Sequence, residues 1–201
     1  MTAILRAAVA ATLVLVPAAS WAQAAPLRGA ALLEALRGGG YVILMRHAAT
    51  EAKVDAPTVD VADCTTQRNL SPEGRATARA IGQRVTALAL PIADVKASPF
   101  CRAIESARLI FGRADPVDGL HEYAMKDAAS RDAAAAALRP FLVAPPPAGK
   151  DIVVMTHGFN VKSVTGLDVL EAEAVVVKPD MHGGYAVVGD IKADDWSTFT
   201  N

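Results

Sequence analysis

The amino-acid sequence predicts an α/β fold, a three-layer α/β/α sandwich built around a mostly parallel central sheet. Short apolar runs alternate along the chain with longer segments of helical periodicity, which is the order found when helices connect the strands of a sheet. With 201 residues, of which 52% are hydrophobic and 20% are charged, the chain is long enough for one sizeable core. We therefore expect a single domain, preceded by an N-terminal segment of a different kind.

The N-terminal segment has the composition of a secretory signal peptide. It carries one positive charge at Arg6, then an apolar run, and then small residues that allow cleavage after Ala22 or after Ala24. The apolar run would span only about half of a ~30 Å hydrocarbon core, which favours cleavage over a retained membrane anchor. We predict a signal peptide over residues 1–22, a domain over residues 23–201, and export to the periplasm or the medium.

Two of the predicted helices begin with the same signal. Ser71 can cap a helix, Pro72 suits its first position, and the apolar residues that follow recur on one face. Ser98 and Pro99 repeat this signal at the next helix. In chain order, the predicted elements are a strand at 41–45, a helix at 72–88, a strand at 92–97, helices at 99–111 and 130–143, a strand at 151–156, and a hairpin of strands at 174–177 and 185–191.

Arginine and histidine side chains follow three of the predicted strands. Arg46 and His47 come directly after the first strand, Arg102 lies shortly after the second, and His157 follows a later one. Because the carboxyl ends of parallel strands line the crevice where ligands bind, we expect these four side chains to converge. Arginine offers planar, charged donors that match phosphate oxygens, and a helix start adds positive potential. The pattern predicts a site for a phosphoryl group.

A neutral histidine at such a site is suited to attack phosphorus, because it carries no negative charge for the phosphate oxygens to repel. One ring nitrogen would form the bond to phosphorus while a hydrogen bond holds the other. The leaving alkoxide then needs a proton, which a carboxylic acid can supply. These requirements predict a phosphomonoesterase with a mildly acidic pH optimum.

Four segments of the sequence resemble the histidine phosphatase superfamily, which has the phosphoglycerate mutase-like fold. They are "LMRHAAT", "NLSPEGRATARAIG", "SPFCRAIESA" and "MTHGFN", in the order and approximate spacing of that family. The resemblance implies that His47 is the catalytic nucleophile and that no metal or other cofactor is required. It also implies that Arg46, Arg102 and His157 hold the phosphate, with His157 taking part in catalysis.

The family pattern further implies a proton donor between the second arginine and the second histidine. Glu122 in "DGLHEYAM" occupies that place, and Asp118 and Asp127 are nearby alternatives. The chain has Ala48 where the family commonly has glycine, and it lacks the additional arginine, proline and aspartate typical of the acid phosphatase and phytase branch. It therefore resembles the small exported members of the other branch, branch 1.

The sequence argues against several other classes of protein. A formal net charge of −1 provides no basic field for nucleic acid. No two of the histidines lie at a short metal-ligand spacing. The expected substrate is a small phosphate ester or a phosphorylated envelope component, with membrane contact only through the signal peptide. The remaining alternative is an exported phosphate or sugar-phosphate binding protein, which would keep the anion site without turnover.

The two cysteines, Cys64 and Cys101, leave two possibilities open. In an oxidising compartment they can form a disulfide, which would contribute roughly 3 to 4 kcal/mol by limiting the unfolded chain. Two separate buried thiols are the alternative. A cysteine phosphatase is disfavoured because Cys101 and Arg108 lie together in a predicted helix, without the short loop that such a site needs.

Overall fold

Residues 25–122, 127–180 and 182–200 are described by the computed structural model, in which helices cover both faces of a mixed sheet. The predicted signal peptide lies outside these residues, so the signal peptide and export remain predictions. The sheet has six strands in the order β3-β2-β4-β1-β5-β6. The strands are β1 Val42–Arg46, β2 Ile92–Ala97, β3 Asp115–Pro116, β4 Asp151–Thr156, β5 Ala174–Pro179 and β6 Tyr185–Ile191.

Most of the sheet is parallel, as the sequence predicts. Strand β4 pairs in parallel with both β1 and β2, and β2 pairs in parallel with β3. Strand β5 is antiparallel to β1 and to β6, and β5 and β6 form the predicted hairpin. The central position of β1 explains why its residues are almost all apolar: both of its edges are paired and both of its faces are covered.

The helices form the two outer layers of the predicted sandwich. They are α1 Gly29–Gly38, α2 Pro72–Leu88, α3 Cys101–Phe111, α4 Ala128–Val143, α5 Gly158–Thr165 and α6 Asp195–Thr198. Ile43 and Met45 of β1 pack with α1, α2, α3 and α6, whereas Val42 and Leu44 pack with α4 and α5. This alternation follows from the two-residue period of a strand, and it confirms the three-layer arrangement. Within the described residues, no helix is long and apolar enough to cross a membrane.

Helix α2 begins and ends at the predicted residues. The Ser71 hydroxyl accepts a hydrogen bond from the Gly74 amide at 3.0 Å, which is the predicted cap. Gly74 lies so close to the Ala49 carbonyl that a side chain there would clash with it. The first turn of α2 therefore packs directly on the backbone just after β1.

Helix α3 begins two residues later than the sequence predicts. Its cap residue is Phe100, and neither Ser98 nor Pro99 is part of the helix. The Ser98 amide donates a hydrogen bond to the Met155 carbonyl at 2.9 Å, so Ser98 extends the path of β2 instead. The prediction that Ser98 caps α3 was wrong for this reason, although Arg102 does lie in the first turn of the helix.

A disulfide between Cys64 and Cys101 attaches the long connection between β1 and α2 to the start of α3. The connection contains little regular structure beyond a 3₁₀ turn at Cys64–Thr66. The buried Gln67 side chain reinforces the attachment, because its Oε1 accepts a hydrogen bond from the Cys101 amide at 2.8 Å. The structure therefore resolves the two possibilities left by the sequence in favour of the disulfide.

Asp151 makes the stability of this fold depend on pH. Its side chain is buried at the start of β4, where Oδ1 accepts a hydrogen bond from the Tyr41 amide at 2.9 Å. Burial raises the pKa of Asp151 from 3.8 to about 6, and the Tyr41 hydrogen bond partly opposes this rise. The folded protein thus binds this proton more tightly than the unfolded chain does. Stability should therefore fall as pH rises from 3.8 to about 6.

Replacing Asp151 by asparagine should remove this dependence, because the amide keeps an oxygen for Tyr41 and does not titrate. We expect the free energy of unfolding of Asp151→Asn to rise relative to wild type by on the order of 3 kcal/mol between about pH 4 and about pH 7. Urea unfolding of both proteins across this range measures the difference. A difference that stays constant with pH would contradict the prediction.

Candidate active site

The ends of β1, β2 and β4 meet at one edge of the sheet, as predicted. The His47 amide donates a hydrogen bond to the Thr156 carbonyl of β4 at 3.0 Å. On the other side of β4, the Ser98 amide donates a hydrogen bond to the Met155 carbonyl at 2.9 Å. The imidazole rings of His47 and His157 lie 5.3 Å apart between centroids, at an angle of 67°. The two histidines therefore share one small space at this edge.

His47 is held in the form that a nucleophile requires. Its Nδ1 lies 2.8 Å from the Ala48 carbonyl oxygen, which can only accept, so Nδ1 carries the hydrogen and Nε2 keeps the lone pair. Burial lowers the pKa of His47 to about 3; the Ala48 bond opposes this, and the charges of Arg102 and Arg46 lower it further. The ring is therefore neutral near neutral pH.

One ring nitrogen of His157 bonds to Ser98, and the other has a different environment. Its Nε2 lies 2.8 Å from the Ser98 hydroxyl, which also accepts a weak hydrogen bond from the Phe100 amide at 3.4 Å. When the hydroxyl donates its hydrogen to Nε2, the ring hydrogen of His157 lies on Nδ1. This Nδ1 is buried and has no hydrogen-bond partner among the described residues. Burial lowers the pKa of His157 well below its usual value, and the neighbouring His47 adds to this effect.

Three arginines surround the histidines. Arg46, Arg68 and Arg102 each have a buried Nε with no hydrogen-bond partner among the described residues. The terminal nitrogens of Arg46 are held by the Val169 carbonyl at 2.8 Å and by the Glu171 carboxylate at 2.9 Å. Unpaired buried donors are costly in a folded protein. Their convergence therefore indicates a site for an anion with several acceptor oxygens.

Arg102 is fully buried and lies against carboxylates and an aromatic ring. Its Nη1 donates to Asp55 at 3.1 Å and to the Arg68 carbonyl at 3.3 Å, and its Nη2 donates to Glu122. The guanidinium carbon lies 4.4 Å from the centroid of the Phe100 ring. Burial lowers the pKa of Arg102, and the charges of Glu122 and Asp55 oppose this shift. These contacts fix one orientation of the guanidinium group.

A cavity of about 190 Å³ opens beside Arg46 and His47. Its size suits a phosphoryl group with a small substituent rather than a drug-sized ligand, for which cavities of roughly 300 Å³ or more are usual. Among the described residues, no group of three or more His, Cys, Asp or Glu side chains could hold a metal ion. The cavity is lined by Arg46, His47, Glu122, Gly158, Phe159, Lys162, Asp168 and Val169.

Residues 42–144 match the family model of the histidine phosphatase superfamily, branch 1. The chain belongs to the histidine phosphatase superfamily. The matched residues include Arg46, His47, Arg102 and Glu122, while His157 lies beyond them. A search of the curated proteins found no match.

Solved structures of other phosphatases share this histidine phosphatase fold. One is the protein histidine phosphatase SixA complexed with tungstate, with 19% identity, a TM-score of 0.54, and coverage of 76% of this chain and 97% of SixA. The phosphoserine phosphatase of Entamoeba histolytica in complex with 3-phosphoglyceric acid has 15% identity, a TM-score of 0.58, and coverage of 78% and 98%. The mycobacterial glucosyl-3-phosphoglycerate phosphatase has 16% identity, a TM-score of 0.57, and coverage of 77% and 100%.

Of the three carboxyl groups considered as the proton donor of this histidine phosphatase, Glu122 is the one that lines the cavity with His47. Asp127 caps α4, where it accepts a hydrogen bond from the Ser130 amide at 2.8 Å. Asp118 lies in the 3₁₀ turn at Asp118–Leu120 and is not among the residues that line the cavity. The geometry therefore favours Glu122.

Two residues of this histidine phosphatase site were not predicted from the sequence. Arg68 contributes one of the three unpaired guanidinium nitrogens, and its amide donates to the Asp55 carboxylate at 2.6 Å, so that both residues lie beside Arg102. Arg68 directly precedes the segment "NLSPEG", so its position next to a recognised motif was the available signal. Asp55 lies in an irregular connection, and no sequence pattern marks it.

Ser98 bonds to the ring of His157, and we predict that it positions this ring. Replacing Ser98 by alanine should lower kcat/KM for a phosphate ester by about tenfold or more, since a buried ring nitrogen loses its partner and the tautomer of His157 is no longer fixed. Steady-state kinetics on the variant measure this effect.

The threonine variant at position 98 is the matched control, because it keeps the hydroxyl group. Ser98→Thr should recover most of the activity lost in Ser98→Ala, and nitrogen-15 spectra of labelled histidine should show the Nδ1–H tautomer in wild type and Ser98→Thr. Equal activity of the alanine variant and the wild type would contradict this role.

Proposed function

We propose that the protein is an exported, metal-independent phosphomonoesterase that works through a phosphohistidine intermediate. One observation carries this proposal: His47 is neutral, and its Nδ1 is held by the Ala48 carbonyl, so that the Nε2 lone pair is left for the cavity. A nucleophile held in this way needs little reorganisation before it attacks. The positive charges of the arginines fill the role that a metal ion has in other phosphatases.

In the first step, Nε2 of His47 attacks phosphorus and the bond from phosphorus to the ester oxygen breaks. The proposed donors to the phosphate oxygens are Nε of Arg46, Arg68 and Arg102 and Nδ1 of His157, four buried nitrogens that have no hydrogen-bond partner among the described residues. Glu122 gives its proton to the leaving oxygen, so the alcohol departs neutral. The phosphorylated imidazole is a cation, and its Nδ1–H stays bonded to the Ala48 carbonyl.

In the second step, water attacks phosphorus and the bond from phosphorus to Nε2 breaks. The Glu122 carboxylate takes a proton from this water, which returns Glu122 to its acid form and releases inorganic phosphate. Because the first step needs Glu122 protonated, activity should be highest on the mildly acidic side of neutrality.

The proposed substrate is a small phosphate ester, or a phosphate displayed on a larger envelope component. The cavity volume of about 190 Å³ supports a phosphoryl group with a short substituent inside the site. The names of the neighbouring structures include a phosphoserine phosphatase, a glucosyl-3-phosphoglycerate phosphatase and a protein histidine phosphatase, so this fold serves substrates of several sizes. Export rests on the predicted signal peptide.

Hydrolysis of an aryl phosphate by the purified protein, with and without a chelator, tests this proposal. We expect turnover that the chelator leaves unchanged, with an optimum below neutral pH. The unpaired donors would also suit a phosphate or sugar-phosphate binding protein, which would bind inorganic phosphate without any hydrolysis. Tight phosphate binding with no turnover between acidic and alkaline pH would favour that alternative.

A further inference from the structure

The cavity that His47 lines contains one more cation, and the proposed reaction does not use it. Lys162 of α5 lines the same cavity as Arg46 and His47. Its Nζ lies 2.8 Å from each of the two carboxylate oxygens of Asp168, which also lines the cavity. The proposed phosphoryl site thus lies at one end of the cavity, and the ion pair of Lys162 with Asp168 lies on the cavity wall.

The ion pair of Lys162 with Asp168 is easily replaced. The Asp168 side chain is 83% exposed and the Lys162 side chain is 38% exposed. Exposed ion pairs contribute little to stability, because water solvates both charges when they separate. Arg102 differs in this respect, since its side chain is completely buried between two carboxylates. An anionic group of a ligand can therefore take the place of Asp168 at small cost.

We propose that Lys162 forms a second anion-binding subsite, and that the enzyme prefers phosphate esters with a second anionic group a few atoms from the ester oxygen. In this arrangement the phosphoryl group lies at His47, and the second group displaces Asp168 from Lys162. Phe159 provides an apolar wall for a short carbon chain in between. The inference rests on the proposed function, because it assumes that the phosphoryl group occupies the His47 end.

The other charged groups of the cavity determine how the subsite should respond to substitution. Glu122 is held by Arg102, and Arg46 is already paired with Glu171. A second anionic group can therefore bind Lys162 by displacing one exposed carboxylate, that of Asp168. Removing the Lys162 charge should abolish the preference, whereas removing the competing charge of Asp168 should increase it. A merely structural ion pair would instead make both variants change in the same direction.

The experiment compares 3-phosphoglycerate with glycerol 3-phosphate, which differ only in a carboxylate against a hydroxymethyl group. Dissociation constants are measured by calorimetry in the His47→Ala background, where turnover does not interfere, and kcat/KM is measured in the wild-type background. We expect 3-phosphoglycerate to be favoured by about fivefold in both measurements, as for one charge-assisted contact. Lys162→Met should reduce this ratio towards one, and Asp168→Asn should increase it.

Lys150→Met is the matched control, because Lys150 precedes β4 at the opposite edge of the sheet and should leave the ratio unchanged. Equal affinity for the two esters, or a ratio that Lys162→Met does not alter, would overturn the subsite even if both esters are hydrolysed. Failure of the proposed function has a different signature: neither ester nor the aryl phosphate is hydrolysed, while the difference in binding persists.

Discussion

His47→Ala is expected to lower phosphatase turnover by about ten thousand-fold or more, which is the usual scale for loss of a catalytic nucleophile. The substitution removes the nitrogen proposed to bond to phosphorus, while the arginines and His157 remain. Binding of inorganic phosphate should therefore persist in the variant. Turnover of an aryl phosphate and calorimetry with inorganic phosphate measure the two properties separately.

His182→Ala is the matched control for this experiment. His182 is exposed in the turn between β5 and β6, away from the described cavity, so its loss should leave turnover at the wild-type level. Circular dichroism and thermal unfolding should show that both variants are folded. Near wild-type turnover in folded His47→Ala would exclude His47 as the nucleophile.

Removing the disulfide is expected to have the second largest effect. Substitution of both Cys64 and Cys101 by serine should lower the free energy of unfolding by about 4 kcal/mol, from the greater freedom of the unfolded chain across the 37-residue separation. The variant should also bind inorganic phosphate severalfold more weakly. The reason is that the disulfide attaches the connection carrying Asp55 and Arg68 to the helix that begins beside Arg102.

Urea unfolding and phosphate calorimetry on the double variant measure these two effects. Treating the wild type with a thiol reductant should reproduce both, and the same reductant should leave the double variant unchanged, because it has no cysteine. If the double variant is as stable as the oxidised wild type and binds phosphate as well, the disulfide has neither role.

The sequence was sufficient to predict five of the six strands and the placement of four arginine and histidine residues at one edge of the sheet, and the physical reason is local. The apolar residues of β1, paired on both edges, are followed at once by Arg46 and His47, so the pattern of burial also locates the functional side chains. The same relation holds where His157 follows β4. Residues at the ends of central strands are therefore the part of such a site that sequence patterns reveal best.

Other parts of the site depend on contacts between segments far apart in sequence. Ser98 has the appearance of a helix cap, but its hydroxyl bonds to His157, which is 59 residues away. Arg68 lies in an irregular connection, and its backbone contacts Asp55 and Arg102, which are 13 and 34 residues away in sequence. Such residues follow no helical or strand period, so local patterns cannot locate them.

Helix α5 was also not predicted. It has only eight residues and includes the β-branched residues Val161, Val164 and Thr165, which weaken a helical signal. Tertiary packing compensates for this, because Val161 is buried against the same face of the sheet as α4. The helix begins at Gly158 and carries Lys162, so an element that the sequence did not predict supplies part of the cavity wall.

Trapping the covalent intermediate is the direct test of whether His47 forms a bond to phosphorus. Wild-type protein is mixed with labelled phosphate ester, quenched in alkali within milliseconds to preserve a bond between nitrogen and phosphorus, and analysed by peptide mass spectrometry. We expect a phosphoryl group on His47 that is lost in acid and is absent from His47→Ala. A phosphoryl group on any other residue of the wild-type protein would contradict it.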